Sequence, residues 1–158
     1  MANPKPRPPM AKPNPLDTLI DLARNDADEA AKKLQLLTTE RHSAKEQLST
    51  LHVYRQDYAD RLQKATLDGM SASNYHNFRQ FIATLDEAIS QQNRVVAQID
   101  LKIENGKKQW YAEKRRLSSF ETLQARQKRQ QAVLDNRNEQ RSNDEISAIL
   151  FRRMGNTH

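Results

Sequence analysis

The sequence predicts an all-α fold: a long antiparallel two-helix coiled-coil hairpin, with a disordered N-terminal tail and a short C-terminal amphipathic helix. All six prolines lie within the first 15 residues. Neither Gly nor Pro occurs from Leu16 to Asp68, and these two residues disfavour a helix interior most strongly. Apolar residues recur along two successive segments in alternating steps of four and three, which is typical of a coiled-coil seam.

The first helix has a clear start and a long seam. Residues 1–13 are Pro-rich and basic, so we expect a disordered tail. Asn14 can then cap a helix, and Pro15 suits its first position. Arg41 and Arg55 interrupt a seam that otherwise consists of Leu16, Ile20, Ala23, Ala27, Ala30, Leu34, Leu37, Ala44, Leu48, Leu51, Tyr58, Leu62 and Ala65.

A turn near residues 67–73 is predicted because the seam shifts by one position beside the Asp68-Gly69 pair. Folding the chain back about residues 69–70 sets Leu16 opposite Leu123, so the two seams begin and end together. The second seam consists of Tyr75, Phe78, Ile82, Leu85, Ile89, Val96, Ile99, Ile103, Gly106, Trp110, Leu117 and Phe120. An antiparallel hairpin explains this agreement better than a continuous rod.

The hairpin is assigned to residues 14–141, with a polar overhang after about residue 123. Residues 142–155 are predicted to form a short helix of their own. Ser142 and Glu145 match a capping box, and Gly155 lies where a helix should stop.

Composition argues against an enzyme. The chain has no cysteine, and its lone helix histidines have no second His or Cys at i+3 or i+4, so no metal and no cofactor are expected. No catalytic residues are assigned, because a narrow helical hairpin offers no cleft for a nucleophile and its base. Without a signal peptide or an apolar span, a cytoplasmic protein that is monomeric when free is expected.

The net charge of +6 resides in the C-terminal third. Residues 107–158 hold 12 Lys/Arg and 6 Asp/Glu, whereas the remainder holds 14 of each. The basic residues of this third could contact phosphates, so a coiled-coil nucleic-acid-binding protein is one alternative. Interleaved acidic residues favour a solvated helix flank, and we expect no nucleic-acid partner.

A second apolar stripe lies beside the seam near the turn. Tyr54, Phe81 and Ala88 stand one step off the seam, next to Leu51, Tyr58 and Leu85, and Gln47 and Gln92 bound the stripe. Two interpretations are open: a slightly wider core stripe, or a contact patch for another protein.

At these residues the sequence resembles the flagellar export protein FliJ family. The resemblance begins at residues 16–23, continues through Gln47-Leu48 to Tyr58, and is most specific after the turn, in Asn74-Tyr75, Phe81-Ile82, Thr84-Leu85 and Ala88-Ile89. It covers about residues 16–140.

This resemblance implies a stalk-like coiled coil of the flagellar protein export apparatus, similar to the stalk subunit of rotary ATPases and associated peripherally with the inner membrane at the flagellar base. The implied partners are the hexameric export ATPase, the cytoplasmic domain of the membrane export gate and export chaperones. The implied gate-binding patch is Gln47, Leu51, Tyr54, Tyr58, Phe81, Leu85, Ala88 and Gln92, where Gln92 replaces a histidine that the family can carry. The ATPase-ring-facing residues are expected to be Arg24, Lys114, Arg115 and Arg116. The equivalent stalk of a virulence type III secretion system is a further alternative.

Overall fold

The computed structural model describes residues 14–156, and two helices account for nearly all of them. Helix α1 spans Pro15–Asp68 and helix α2 spans Ala72–Gly155, joined by residues 69–71. The described range contains no strand. The predicted all-α, two-helix fold is therefore confirmed, while the predicted N-terminal tail, residues 1–13, lies outside the described residues.

Local hydrogen bonds explain where each helix begins and ends. Asn14 caps α1: its Oδ1 accepts a hydrogen bond from the Leu16 amide at 3.1 Å. Gly69 ends α1 with a positive φ of 86°, a conformation that glycine adopts without a steric penalty. Ser71 caps α2, since its Oγ accepts a hydrogen bond from the Asn74 amide at 3.2 Å. The turn was predicted near residues 67–73, and the structure places it at 69–71.

The chain divides into two compact units, each made of segments from both helices. The first, here called the turn unit, comprises residues 26–113 and includes the connection between α1 and α2. The second, here called the terminal unit, comprises the described residues 14–25 and 114–156. Each unit has its own contacts between the helices, and the two are described separately below.

The core of the turn unit is the predicted seam. A cluster of Ala44, Val96 and Ile99 is buried, and Ile103 packs against it. Seam residues of the turn unit that are less than a tenth exposed are Ala27, Ala30, Ala44, Ile82, Leu85, Ile89, Val96 and Ile99. Leu34, Leu37, Leu48, Leu51, Leu62 and Trp110 are half-buried seam residues. Burial of a narrow apolar stripe between two helices is what holds a coiled coil together.

The two arginines of the α1 seam bind aspartates of α2. Arg41 Nε donates to Asp100 Oδ1 at 2.5 Å. Arg55 Nε hydrogen-bonds Asp86 Oδ1, and Arg55 Nη2 lies 3.5 Å from Asp86 Oδ2. That hydrogen bond, with the negative charge of Asp86, raises the pKa of Arg55 above its ordinary value. The charged interruptions of the seam thus become links between the helices.

The terminal unit pairs the start of α1 with the middle of α2. Leu16, Ile20 and Ala23 are buried. At the end of this pairing, Gln124 Nε2 donates to Asp17 Oδ1 at 2.7 Å, and Asn14 Nδ2 donates to Gln127 Oε1 at 2.9 Å. Every described residue from 125 to 156 is exposed.

Residues 142–155 differ from the prediction: they form the last turns of α2, which is unbroken to Gly155. The capping-box pattern at Ser142 and Glu145 does not start a new helix, because nothing upstream ends the old one. Between Gly106 and Gly155 the sequence contains neither Gly nor Pro, and Gln, Arg, Lys and Ala, which favour helix, predominate in residues 124–132. The overhang therefore continues as helix through the predicted boundary.

Candidate docking surface

The eight residues of the predicted gate-binding patch all lie in the turn unit. Four occupy the seam, and four lie on one flank of it, spaced by seven residues on each helix. We call the whole set the aromatic face: Leu51, Tyr58, Leu85 and Gln92 in the seam, and Gln47, Tyr54, Phe81 and Ala88 on the flank. A seven-residue spacing keeps side chains on the same side of a coiled-coil helix.

The four seam residues of the aromatic face are buried or half-buried, and we call them the floor; Tyr54 and Phe81 form its exposed aromatic edge. Leu85 is 7% exposed and belongs to the core. Tyr54 and Phe81, by contrast, are 53% and 43% exposed. The burial of Leu85 agrees with a wider core stripe, whereas the exposure of Tyr54 and Phe81 leaves the contact-patch interpretation open. The edge residues retain enough apolar surface to contact another protein, which the floor residues support from below.

Tyr58 connects floor and edge through its ring contacts. Its ring centroid lies 4.4 Å from that of Phe81 and 6.3 Å from that of Phe78, with tilted planes in both pairs. The guanidinium of Arg61 stands 5.4 Å from the centre of the Tyr58 ring. Aromatic pairs of this geometry stabilise beyond their buried area, so Tyr58 holds the exposed Phe81 ring in place.

The amide of Gln92 crosses the seam. Its Nε2 donates to the main-chain carbonyl of Ala44 at 3.0 Å and to Gln47 Oε1 at 3.2 Å. Gln92 is half-buried, and satisfying its donors removes most of the cost of placing an amide in the seam. Both glutamines at this border of the aromatic face are therefore engaged with each other across the two helices.

Val95 continues the flank that carries Phe81 and Ala88, but it is not among the residues predicted for the patch. Val95 follows Ala88 by seven residues and is 41% exposed. The signal was present in the sequence, since 81, 88 and 95 form one series of steps of seven. The sequence alone indicates Gln92 as the border of the patch, because a polar residue ends the apolar stripe there.

The predicted ATPase-facing residues lie together in the terminal unit, and all four are exposed. Arg24 stands 3.9 Å from Asp21 and 4.0 Å from Glu121, contacts that are long and exposed and therefore weak. The Arg116 guanidinium lies 5.6 Å from the ring centre of Phe120. The Ser119 hydroxyl donates to the Arg115 carbonyl at 2.9 Å. Lys114, the fourth residue of the set, is exposed as well.

Residues 14–156 contain no group of three or more His, Cys, Asp or Glu side chains able to hold a metal ion. His42 Nε2 lies 3.0 Å from Glu46 Oε1, but both side chains are mostly exposed. Within the same range, neither helix has a stretch long and apolar enough to cross a membrane.

Comparison with known proteins assigns the chain to a family. The model of the flagellar FliJ protein family matches residues 12–156. The chain belongs to the flagellar FliJ family. A FliJ protein of Salmonella typhi is 34% identical over 138 residues, which covers 87% of this chain and 94% of that protein. The FliJ protein of Escherichia coli K12 is 33% identical with the same coverage.

A solved structure shares the fold of this FliJ family member. It is that of a proposed YscO homolog from Chlamydia trachomatis, with a TM-score of 0.62 over 90% of this chain and 93% of that one. At 13% identity, this likeness concerns the fold alone. Family membership makes the chain a component of flagellar type III export, as its resemblance to the FliJ family implied.

Proposed function

We propose that this chain is a non-enzymatic, stalk-like subunit of the flagellar export apparatus that binds the cytoplasmic domain of the membrane export gate through its aromatic face. The observation that supports this proposal is the exposure of Tyr54 and Phe81 beside a floor of buried and half-buried seam residues. Aromatic side chains at the centre of a surface are the residues that most often contribute the binding free energy of an interface. A two-helix core is too narrow to cover both rings, which leaves them for a partner.

The experiment compares the full-length chain with a Tyr54→Ala/Phe81→Ala variant for binding to the purified cytoplasmic domain of the export gate. We expect the dissociation constant to rise by at least about thirtyfold, since each aromatic contact contributes on the order of 1–2 kcal/mol. Val53→Ala is a matched control, because Val53 is 63% exposed next to Tyr54 but lies off the aromatic face.

Circular dichroism of each variant separates a binding defect from unfolding. Both replaced side chains are about half exposed, so helicity should be kept. Loss of helicity in the double variant would make the two rings core residues. Unchanged gate binding with helicity kept would contradict the proposal.

The second part of the proposal is that the terminal unit engages the hexameric export ATPase. Arg24, Lys114, Arg115 and Arg116 are exposed and basic there. Dispersed surface charge suits contact with a ring of repeated subunits, because it attracts each subunit without fixing a tight pair. This subunit would act at the inner membrane face, as a peripheral component of the flagellar base.

The test measures ATP hydrolysis by the cognate export ATPase with and without the chain. Wild type should stimulate hydrolysis near one chain per ring, and Arg115→Glu/Arg116→Glu should reduce that stimulation several-fold. Arg152→Glu/Arg153→Glu is the matched control, with the same charge change in the last turn of α2. Equal stimulation by all three proteins would contradict the basic-surface assignment, and no stimulation by wild type would contradict the ATPase contact itself.

Recycling of export chaperones is the third activity that we propose. Its support is family membership together with the exposed helical surface of residues 125–156, on which Val133, Leu134 and Ile146 are about half exposed. A purified export chaperone should bind the full-length chain and lose that binding with Val133→Asp/Leu134→Asp. Binding that survives the double substitution would place the chaperone elsewhere.

A further inference from the structure

The flank of α2 that carries Phe81 and Ala88 continues as apolar surface beyond the limit of the aromatic face. Val95 is 41% exposed, close to the 43% of Phe81, whereas its neighbour Val96 points into the core and is 7% exposed. Phe81, Ala88 and Val95 are spaced by seven residues. The three side chains thus form one row, about 21 Å long at 1.5 Å per residue.

Polar residues end this row on both sides. One further step of seven leads to Lys102, and one step back from Phe81 leads to Asn74, and both are exposed. A solvated coiled-coil flank would carry charged residues at these positions, as Lys102 does. Phe81, Ala88 and Val95 therefore form one apolar surface that polar residues bound at both ends. The apolar surface does not stop at Gln92.

The side chain of Gln92 links α2 to α1 one helical turn before Val95. The Gln92 amide is bonded to the Ala44 carbonyl and to Gln47, so this glutamine faces α1 and does not close the row against a partner. Val95 lies one helical turn beyond Gln92. A partner that covers Phe81 and Ala88 and continues straight along α2 meets Val95 next.

We propose that Val95 is a further contact residue of the aromatic face and sets how far the export gate extends along α2. This inference rests on the proposed gate binding. The part of the gate domain that meets Val95 is then apolar, because a charged group there would lose water without gaining a partner. Val95 acts by direct contact and is separate from the links that hold the hairpin together.

The test measures the affinity of the full-length chain for the purified cytoplasmic domain of the export gate. Val95→Asp should raise the dissociation constant about tenfold or more, since it places a carboxylate against an apolar surface. Val95→Ala should raise it about threefold, through the loss of two methyl groups from a partly buried contact. Leu101→Asp is the matched control: Leu101 is 68% exposed on α2 but lies off the row, and its variant should bind within about twofold of wild type.

The outcomes separate the inference from the function on which it rests. If wild type binds and Val95→Asp binds as Leu101→Asp does, Val95 is not a contact and the inference is overturned, while the proposed function stands. If wild type itself does not bind the gate domain, the proposed function is overturned and the inference with it. If Val95→Asp loses helicity, the affinity of Val95→Ala decides the question: a rise of about threefold in the dissociation constant supports the inference, and no rise overturns it.

Discussion

Arg41 of α1 donates a hydrogen bond through Nε to Oδ1 of Asp100 of α2, at 2.5 Å. The contact is repeated between Arg55 and Asp86, two heptads nearer the turn on both helices. A coiled-coil seam made only of apolar residues tolerates sliding by whole heptads, because each apolar layer resembles the next. Polar residues in a seam remove this freedom, since only one register satisfies them.

Sliding α2 by one heptad in either direction would leave Arg41 and Arg55 without a carboxylate partner. A slide of one heptad in one direction would set Arg41 against Asn93 and Arg55 against Arg79, and the opposite slide would set Arg41 against Lys107 and Arg55 against Asn93. Each slide therefore brings one arginine against a cation. The two pairs specify the alignment of α1 and α2 in the turn unit.

The first prediction concerns this alignment. Asp100→Lys should lower the free energy of unfolding by about 1 kcal/mol, because it replaces an ion pair by two cations at a half-exposed site. The exchange Arg41→Asp/Asp100→Arg should recover most of this loss. Urea denaturation of the single and double variants gives the coupling between the two positions. A coupling of zero would show that the pair does not contribute to the alignment.

The second prediction sets two glycines of the turn unit against each other. Gly69→Ala should destabilise the chain by about 1 kcal/mol, because φ at this position is +86° and alanine is strained there. Gly106→Ala should stabilise it by about 0.5–1 kcal/mol through helix propensity. A Cβ at Gly106 would meet Leu34 Cδ1 at 3.4 Å and Leu37 Cδ1 at 3.7 Å, contacts that flexible leucine ends accommodate.

Thermal unfolding of the two glycine variants beside wild type provides the measurement. The melting temperature should fall for Gly69→Ala and rise for Gly106→Ala. A fall in both would mean that α1 approaches α2 at Gly106 too closely to admit a methyl group.

The third prediction separates floor from edge in the aromatic face. Tyr58→Ala should lower the free energy of unfolding by about 2 kcal/mol, because its half-buried ring packs on Phe81 and Phe78. Tyr54→Ala should change it by no more than about 0.5 kcal/mol, since Tyr54 is 53% exposed. Chemical denaturation of both variants measures the difference. Equal losses would place Tyr54 in the core.

The fourth prediction concerns Glu113, a glutamate at a seam position of α2. Its Oε2 is buried and has no hydrogen-bond partner, which costs about 1–3 kcal/mol. Glu113→Leu should therefore raise the melting temperature, and Glu121→Leu, at an exposed position of the same helix, should leave it nearly unchanged. A lower melting temperature for Glu113→Leu would show that the seam cannot accept an apolar side chain there.

Seam positions were predictable from the sequence because burial in a coiled coil follows spacing alone. Nearly every predicted seam residue is buried or half-buried, and Tyr75, which is 40% exposed beside the turn, is the exception. The partners of Arg41 and Arg55 were not predicted, although folding about residues 69–70 brings Asp100 and Asp86 near them. Spacing identifies a charged residue in the seam, but the side-chain geometry decides which carboxylate on the flank forms an ion pair with it.

The end of α2 and the extent of the aromatic face were harder to predict for a related reason. Ser142 and Glu145 carry a helix-start pattern, yet such a pattern acts only where the preceding helix has ended. In the sequence Gln92 has the character of a surface border before Val95, whereas in the structure its amide is bonded inside the hairpin. In both cases the structural role of a short sequence pattern depends on residues outside that pattern.

Photocrosslinking from the chain in cells that assemble flagella tests the central claim most directly. A photoreactive phenylalanine analogue would replace Tyr54, Phe81 or, as the control, Val53, which is exposed beside Tyr54 but off the aromatic face. We expect positions 54 and 81 to crosslink to the membrane export gate and position 53 not to do so. Crosslinks of equal yield from all three positions, or none from 54 and 81, would contradict the assignment of the aromatic face as the gate-binding surface.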